Sequence, residues 1–215
     1  MALPDDIWSV FEHRLLSVPS SSLAALFNPY NSVDPRADRP DADRIRKANL
    51  RRYVDCFAES PRVLLVGEAP GRRGCRFSGV PFTSEQQLVS GEIPFTGAQS
   101  SQGSVPFTER SASAVWSVVG DLHPDVFLWN AVPLHPHDPA NPTENRTPTV
   151  AERRLFLALT DDLLGVLKPT MVVAAGRVAE DALKGRGPRY VRHPSRGGAA
   201  EFRWGFAEVR LALGV

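Results

Sequence analysis

The chain has 215 residues, of which 42% are hydrophobic and 23% are charged, and its formal net charge is +1. This length and apolar share predict one folded domain, and the near-zero net charge excludes a uniformly basic nucleic-acid-binding surface, leaving only a local basic face. No apolar stretch is long enough to span a bilayer, and we expect no association with membranes.

The first 58 residues contain two predicted helices separated by an irregular segment. The first helix covers residues 6–17, and its apolar positions are Ile7, Val10, Phe11 and Leu15. Residues 19–42 are rich in Ser, Pro and Asp, and a second helix follows over 43–58. We therefore divide the chain into an N-terminal helix with an irregular extension, residues 1–42, and an α/β domain, residues 43–215.

A short, wholly apolar run then ends abruptly at a turn that carries one carboxylate. The run is Val63-Leu64-Leu65-Val66, within a strand predicted over 62–66, and it leads into Gly67-Glu68-Ala69-Pro70-Gly71. Such a run is typical of a buried parallel strand, and open α/β sheets place their ligands at the carboxyl ends of these strands. Glu68 is therefore expected at the rim of a sheet. The alternative is a surface turn with an incidental glutamate.

Residues 69–109 show no clear periodicity but contain a short repeat. Val-Pro-Phe-Thr or Ile-Pro-Phe-Thr occurs three times, around Phe82, Phe95 and Phe107. Loops of this length in compact domains are usually functional or disordered. The repeated aromatic residues favour a packed functional loop, and chance repetition is the alternative.

The rest of the chain alternates helices with strands. Strands are predicted over 125–129, 171–175 and 190–192. Helices are predicted over 111–120, over 150–167 with a capping box formed by Thr149 and Glu152, from Gly176 to about Lys184, and at the C-terminus. This alternation predicts a three-layer α/β/α sandwich with a short, mostly parallel, four-stranded central sheet.

Three of the predicted strands lead into polar residues, which are Glu68, Asn130 and His193. A carboxylate can hold a water and favour a cationic sugar, and an imidazole can donate a hydrogen bond to a departing anion. An amide presents one donor and one acceptor together, which suits the edge of a base. The three residues together suit cleavage of a bond whose transition state separates charge.

Five ordered motifs resemble those of the uracil-DNA glycosylase superfamily. They are Gly67-Glu68-Ala69-Pro70-Gly71, Gly79-Val80-Pro81-Phe82, Asn130, Asn145-Arg146-Thr147-Pro148-Thr149 and His193-Pro194-Ser195. The resemblance runs from about Val63 to Gly198, and the first and fourth motifs are most similar to the iron–sulfur branch of the superfamily.

The resemblance implies a monofunctional glycosylase that removes uracil, or another deaminated base, from DNA after extruding the nucleotide into a pocket. It implies that Glu68 and His193 are catalytic, the first at the water and the sugar and the second at uracil O2. By the same resemblance Phe82 stacks on the base, Asn130 reads O4 and N3–H, and Gly67 and Ala69 offer backbone amides. The implied DNA phosphate contacts come from Ser195, Arg196 and Arg146.

The chain also departs from the family pattern. Its two cysteines, Cys56 and Cys75, cannot supply the four thiolates of an iron–sulfur cluster, so we predict no cluster, no other metal and no cofactor. Two cysteines without a CxxC motif also predict a reduced, cytoplasmic protein, and we expect a monomer. Gly71 stands where the best-known branch has a tyrosine that excludes the thymine methyl, and residues 85–109 form an insertion of open role.

Two other functions fit the sequence. One is a catalytically silent module that binds DNA or damaged bases, although such a module has no need of a water-positioning carboxylate. The other is the same chemistry on free nucleosides or on a different lesion, such as hypoxanthine or xanthine.

Overall fold

The central sheet has four parallel strands in the order β3-β2-β5-β6. The structure is a computed structural model, and it describes residues 2–19, 25–142 and 144–215. The six strands in these ranges are β1 (Leu26–Phe27), β2 (Val63–Gly67), β3 (Val126–Asn130), β4 (His135–Pro136), β5 (Met171–Ala175) and β6 (Arg189–Val191). Strands β1 and β4 pair with each other in a separate antiparallel ribbon.

Nine α-helices complete the described part of the chain. They are α1 (Leu3–Phe11), α2 (Ala42–Val54), α3 (Cys75–Ser78), α4 (Glu85–Ser90), α5 (Arg110–Val119), α6 (Val150–Leu155), α7 (Leu157–Leu167), α8 (Arg177–Ala182) and α9 (Ala199–Leu213). A π-helical turn, Glu12–Leu16, continues α1, and a 3₁₀ turn, Gly120–Leu122, continues α5.

The order of the strands explains why helices cover both faces of the sheet. The connection from β2 to β3 and the connection from β3 to β5 run in opposite directions across the sheet. Because such crossovers are right-handed, their helices lie on opposite faces. Accordingly α5 packs against α9, and α7 packs against α1. The predicted three-layer α/β/α fold with a four-stranded sheet is confirmed.

The same strand order places a ligand-binding crevice. Strand β2 is flanked by β3 on one side and β5 on the other, so the chain reverses its direction of travel at β2 and β5. Ligands of open α/β sheets bind outside the carboxyl ends of the strands at this reversal. Gly67, the last residue of β2, lies opposite Asn130 in the parallel ladder, so two of the predicted site residues are neighbours by register.

The N-terminal residues belong to the same hydrophobic core as the sheet. Ile7, Phe11 and Leu15 are fully buried, and the Phe11 ring stacks on Trp129 of β3 with 4.7 Å between centroids. The predicted boundary at residue 42 stays a prediction, but the two parts share one core.

A buried ion cluster also attaches the extension to the rest of the fold. The fully buried Asp38 carboxylate forms ion pairs with Arg46 of α2 at 3.1 Å and with Arg76 of α3 at 2.5 Å. Arg46 is also fully buried. Three charges are therefore held together at the junction of the extension, α2 and α3.

Several predicted elements differ in detail from the observed ones. The helix expected over 150–167 is two helices that break at Phe156, whose backbone leaves the helical region and whose side chain is buried. The stretch 69–109 contains α3 and α4, and the segment 19–42 contains β1; these elements have two to six residues, too few for a periodic pattern. Residues 20–24 of that segment lie outside the described ranges.

Candidate active site

A cavity of 620 Å³ opens at the carboxyl ends of the sheet strands. Eight of the nine predicted site residues line it, and the ninth, Gly67, lies directly behind the Phe82 ring. The eight are Glu68, Ala69, Phe82, Asn130, Arg146, His193, Ser195 and Arg196. Residues up to 128 positions apart in the chain, Glu68 and Arg196 among them, thus surround one space of the size typical for ligands.

Phe82 forms one wall of this cavity because Gly67 has no side chain. A Cβ on Gly67 would overlap Cζ of the Phe82 ring. Phe82 itself has a positive φ of 52°, which is strained for an aromatic residue. The Ser78 hydroxyl holds this turn, since it donates to the Thr83 carbonyl at 2.7 Å. Of the three repeated phenylalanines, Phe95 packs against Tyr53 and Phe107 against Phe77, so neither is the stacking ring.

Glu68 follows β2 and is half-buried at the cavity. Burial raises the pKa of its carboxyl above the usual value of 4.5, and a hydrogen bond from Thr147 and the charges of Arg196 and Arg153 oppose the shift. The carboxylate is therefore desolvated, which strengthens it as a base, while three neighbours still favour its ionised form. The N–H of Ala69, the next residue, has no acceptor among the described residues and is free for a ligand.

Asn130 ends β3 and is almost fully buried. Its Oδ1 lies 3.0 Å from the position that a Cβ on Gly67 would take. Within the described residues its side-chain amide makes no hydrogen bond, so no protein group selects which way the oxygen and nitrogen point. Both amide orientations are therefore open to a bound base.

His193 follows β6 and faces the Phe82 ring, with 6.0 Å between the ring centroids. Burial, together with the charges of Arg192 and Arg196, lowers the pKa of its imidazole to about 4. Above about pH 5 the ring is therefore neutral. A glycine at 176, with φ +92°, makes room for it, because a Cβ there would lie 3.0 Å from the His193 Cβ.

Ser195 determines which ring nitrogen of His193 carries the proton. The Ser195 N–H lies 3.1 Å from His193 Nδ1, and the Ser195 hydroxyl lies 2.8 Å from it. Because a backbone N–H can only donate, Nδ1 is the acceptor and the proton of the neutral ring is on Nε2. Nε2–H is thus available to donate a hydrogen bond.

The two predicted phosphate-binding arginines have different surroundings. Arg196 is exposed, has φ +52°, and has neither a hydrogen bond nor an ion pair within the described residues. All five N–H donors of Arg146 are engaged instead, with both Glu152 oxygens and with the carbonyls of His137, Ala25 and Thr147. Arg196 is therefore free to bind an anion, whereas Arg146 has no donor left.

The segment that contains Arg146 holds the Glu68 turn in place. The Asn145 side-chain oxygen accepts the Arg72 N–H at 2.9 Å, and Thr147 hydrogen-bonds Glu68. The turn is also held from β4, where His135 Nδ1 lies 2.8 Å from the Pro70 carbonyl oxygen. The motif Asn145–Thr149 therefore acts on the site through the turn rather than through its arginine.

Comparison with known proteins agrees with this geometry. The profile of the Uracil DNA glycosylase superfamily matches residues 54–209. The chain belongs to the uracil-DNA glycosylase superfamily. Among solved structures, it is similar to the crystal structure of wild-type SMUG2 of Pedobacter heparinus, with a TM-score of 0.67 and 16% identity over 100% of this chain and 99% of that chain. No curated protein sequence matches it significantly.

Membership of the superfamily raises the question of an iron–sulfur cluster, and the residues do not fit one. The chain has only Cys56, which is half-buried, and Cys75, which lies in the cavity. Four thiolates are required. In the described ranges no three His, Cys, Asp or Glu side chains converge to hold a metal ion, and no helix is long and apolar enough to cross a membrane.

The sequence did not indicate a second carboxyl in the cavity. Glu109 lines it beside Cys75 and Ser111. Its oxygens contact Gly71 and Gly74 so closely that a Cβ on either glycine would overlap them. Glu109 directly follows the third Phe repeat and precedes α5, and a Glu at a helix start is too common to be read as a site residue.

We predict that Ser195→Ala lowers the rate of base excision by about 10-fold, the low end of the 10–100-fold that hydrogen-bond partners of metal-ligating histidines typically contribute. The serine hydroxyl helps to hold His193 with Nε2 protonated, and the backbone N–H remains in the variant. Single-turnover kinetics on a uracil oligonucleotide will measure the loss, and ¹⁵N shifts of His193 will report the tautomer. Ser113→Ala, an exposed serine on α5, is the matched control; an equal loss in both variants contradicts the assignment.

Proposed function

We propose that this superfamily member is a monofunctional DNA glycosylase that hydrolyses the N-glycosidic bond of uracil in DNA. The observation that carries the proposal is the pairing of a desolvated carboxylate, Glu68, with a neutral imidazole, His193, across a cavity floored by Phe82. Superfamily membership supports the reaction class.

In the proposed reaction the bond between C1′ and N1 breaks, and its electron pair leaves with the base. His193 Nε2–H donates to the O2 that gains negative charge, which a neutral imidazole can do without giving up its proton. Glu68 favours the oxocarbenium-like sugar and orients the water whose oxygen bonds to C1′. The water proton passes to the carboxylate.

Base recognition is assigned to Phe82 and Asn130. The base stacks on the Phe82 ring, and the Asn130 amide donates to O4 and accepts N3–H of uracil. Because no described protein group fixes the orientation of this amide, a wider range of deaminated bases is the second candidate substrate. The free N–H of Ala69 and the backbone of Gly67 lie beside the same edge.

DNA binding is assigned to the rim of the cavity. Arg196 is the proposed phosphate contact or the residue that fills the gap left by the extruded base, because it is exposed and unpaired. Ser195 contributes through the loop that it shares with His193. Arg146, whose donors are engaged by Glu152 and by backbone carbonyls, holds its own segment instead of contacting phosphate. One chain supplies every proposed group, so we propose that the enzyme acts as a cytoplasmic monomer.

A lesion panel tests the proposal. Oligonucleotides with uracil, hypoxanthine, xanthine or thymine are incubated with the protein, and abasic sites are cleaved by alkali and counted. We expect product with uracil. Glu68→Gln and His193→Ala should each lower the rate by about 10²–10⁴-fold, because each removes one catalytic group. Glu201→Gln, at an exposed position of α9, is the control for the first variant.

Each outcome of the lesion panel supports or contradicts a part of the proposal. Product on another base but not on uracil replaces the substrate and keeps the chemistry. Cleavage of free deoxyuridine alone favours the nucleoside reading. No product on any substrate favours the silent binding module, and full activity in both catalytic variants removes the assigned roles.

We predict that Asn130→Asp shifts the base preference towards cytosine. The substitution replaces the amide donor, which suits O4 of uracil, by an acceptor that suits the N4 amino group of cytosine. A mis-paired buried edge costs about 1–3 kcal/mol, equivalent to about 5- to 150-fold in rate ratio. Competition between uracil and cytosine oligonucleotides measures the ratio, and an unchanged ratio removes Asn130 from base reading.

The acid limb of the pH profile should belong to Glu68 and not to His193. Since the carboxylate acts in its ionised form and its pKa is raised above 4.5, activity should fall as the pH drops through that pKa. His193, with a pKa of about 4, is still neutral there. We expect the fall of log kcat/KM at acid pH to disappear in Glu68→Gln. The chain with and without this substitution is measured in a Glu109→Gln background, which removes the other titrating carboxyl of the cavity. If activity still falls at acid pH in Glu68→Gln, a group other than Glu68 causes the fall.

A further inference from the structure

The insertion, residues 85–109, delivers a carboxyl to the proposed base-binding cavity. The buried Glu85 accepts the N–H groups of Ser100 and Ser101 at 2.7 and 2.9 Å and that of Phe107 at 3.3 Å. The Phe107 ring packs on Phe77 of α3, with 4.6 Å between centroids. These contacts fix the end of the insertion, and the side chain two residues later is Glu109.

Glu109 occupies the space in which a side chain of residue 71 would begin. Oε1 contacts Gly71 and Oε2 contacts Gly74, and neither glycine can carry a Cβ without displacing the carboxyl. No cation pairs with Glu109 in the described residues, and its one side-chain hydrogen bond is with Ser111. Burial raises its pKa to about 7, and burial together with the Glu109 charge raises the pKa of the Cys75 thiol beside it.

The edge of the base that meets this carboxyl follows by elimination from the proposed function. His193 takes O2, Asn130 takes N3–H and O4, and N1 points to the sugar beside Glu68. The remaining edge of a pyrimidine is C5–C6. Among the described lining residues that have no role so far, Gly71 and Cys75 lie beside Glu109, which carries the one carboxyl of the lining besides Glu68.

We propose that Glu109 is the specificity-determining residue that rejects thymine, by placing a polar carboxyl where the C5 methyl group of thymine would lie. A methyl group there would strip water from the carboxyl without giving it a hydrogen bond, which is unfavourable whether the carboxyl is ionised or not. Uracil, with only hydrogen at C5, leaves the carboxyl its space. Selectivity of this kind is obtained without an aromatic side chain at residue 71.

The proposal rests on the proposed function, and the test separates the two. Wild-type protein, Glu109→Ala and Glu109→Gln are assayed on oligonucleotides with G·U and G·T pairs. We expect the ratio of thymine to uracil excision to rise by about 10-fold or more in Glu109→Ala, the discrimination typical of one methyl-sized group. Glu109→Gln keeps a polar group of the same size and should keep the low ratio.

A double variant tests the geometry. Gly71→Ala alone should displace the carboxyl and raise the thymine ratio, whereas Gly71→Ala added to Glu109→Ala should refill the space and lower the ratio towards that of the wild type. Thermal unfolding of every variant reports whether it is folded. If wild-type protein fails to excise uracil, the proposed function fails. If it excises uracil and the ratio in folded Glu109→Ala is unchanged, the role of Glu109 is wrong.

Discussion

The site depends on the contact between the Phe82 ring and the backbone of Gly67. A strand that ends in glycine leaves its last peptide uncovered, and the ring lies directly against it. Any other residue at 67 would push the ring into the cavity. The strand register also places Asn130 beside this contact, because Asn130 lies opposite Gly67 in the parallel pairing of β2 and β3. The absence of a side chain at residue 67 therefore lets the Phe82 ring, the Asn130 amide and the turn that carries Glu68 lie side by side.

The ionisable groups of the site differ in how deeply they are buried. Inside, burial shifts the pKa of Glu68 and Glu109 upwards and that of His193 downwards, so each group is moved towards its neutral form. At the rim, Arg196 stays exposed. The surface of the site therefore offers a cation to an anionic ligand, while its interior holds groups that water screens weakly.

The sequence predicted the parallel strands and the three polar strand ends, because buried strands are apolar runs and their ends carry turn residues. It also predicted the capping box of Thr149 and Glu152. It did not predict that α6 and α7 are separate, since Phe156 breaks the helix to reach the core. The local sequence did not reveal the surroundings of Arg146 either. An arginine in a loop suggests a phosphate contact, and only the structure shows that its donors are taken by five acceptor atoms of the protein.

Glu109 was hidden for a different reason. Its neighbours in space, Gly71 and Gly74, are more than 30 positions away in the chain, and what matters is the volume that these glycines leave empty. Only the folded structure brings Glu109 beside these two glycines, so no local sequence pattern could have indicated it. Likewise, the tautomer of His193 depends on a backbone N–H two residues later, which any residue except proline would provide.

The buried cluster of Asp38, Arg46 and Arg76 has a consequence for how far this chain can be shortened. Removing residues 1–42 would delete Asp38, which pairs with both arginines, and Asp34, which lies 4.0 Å from Arg76. Removing one partner of a buried ion pair costs about 3–5 kcal/mol. Arg76 lies in α3, just after the turn that carries Glu68. The smallest unit that keeps this cluster therefore begins well upstream of β2, and trimming to the α/β region alone would leave unpaired arginines near the turn that carries Glu68.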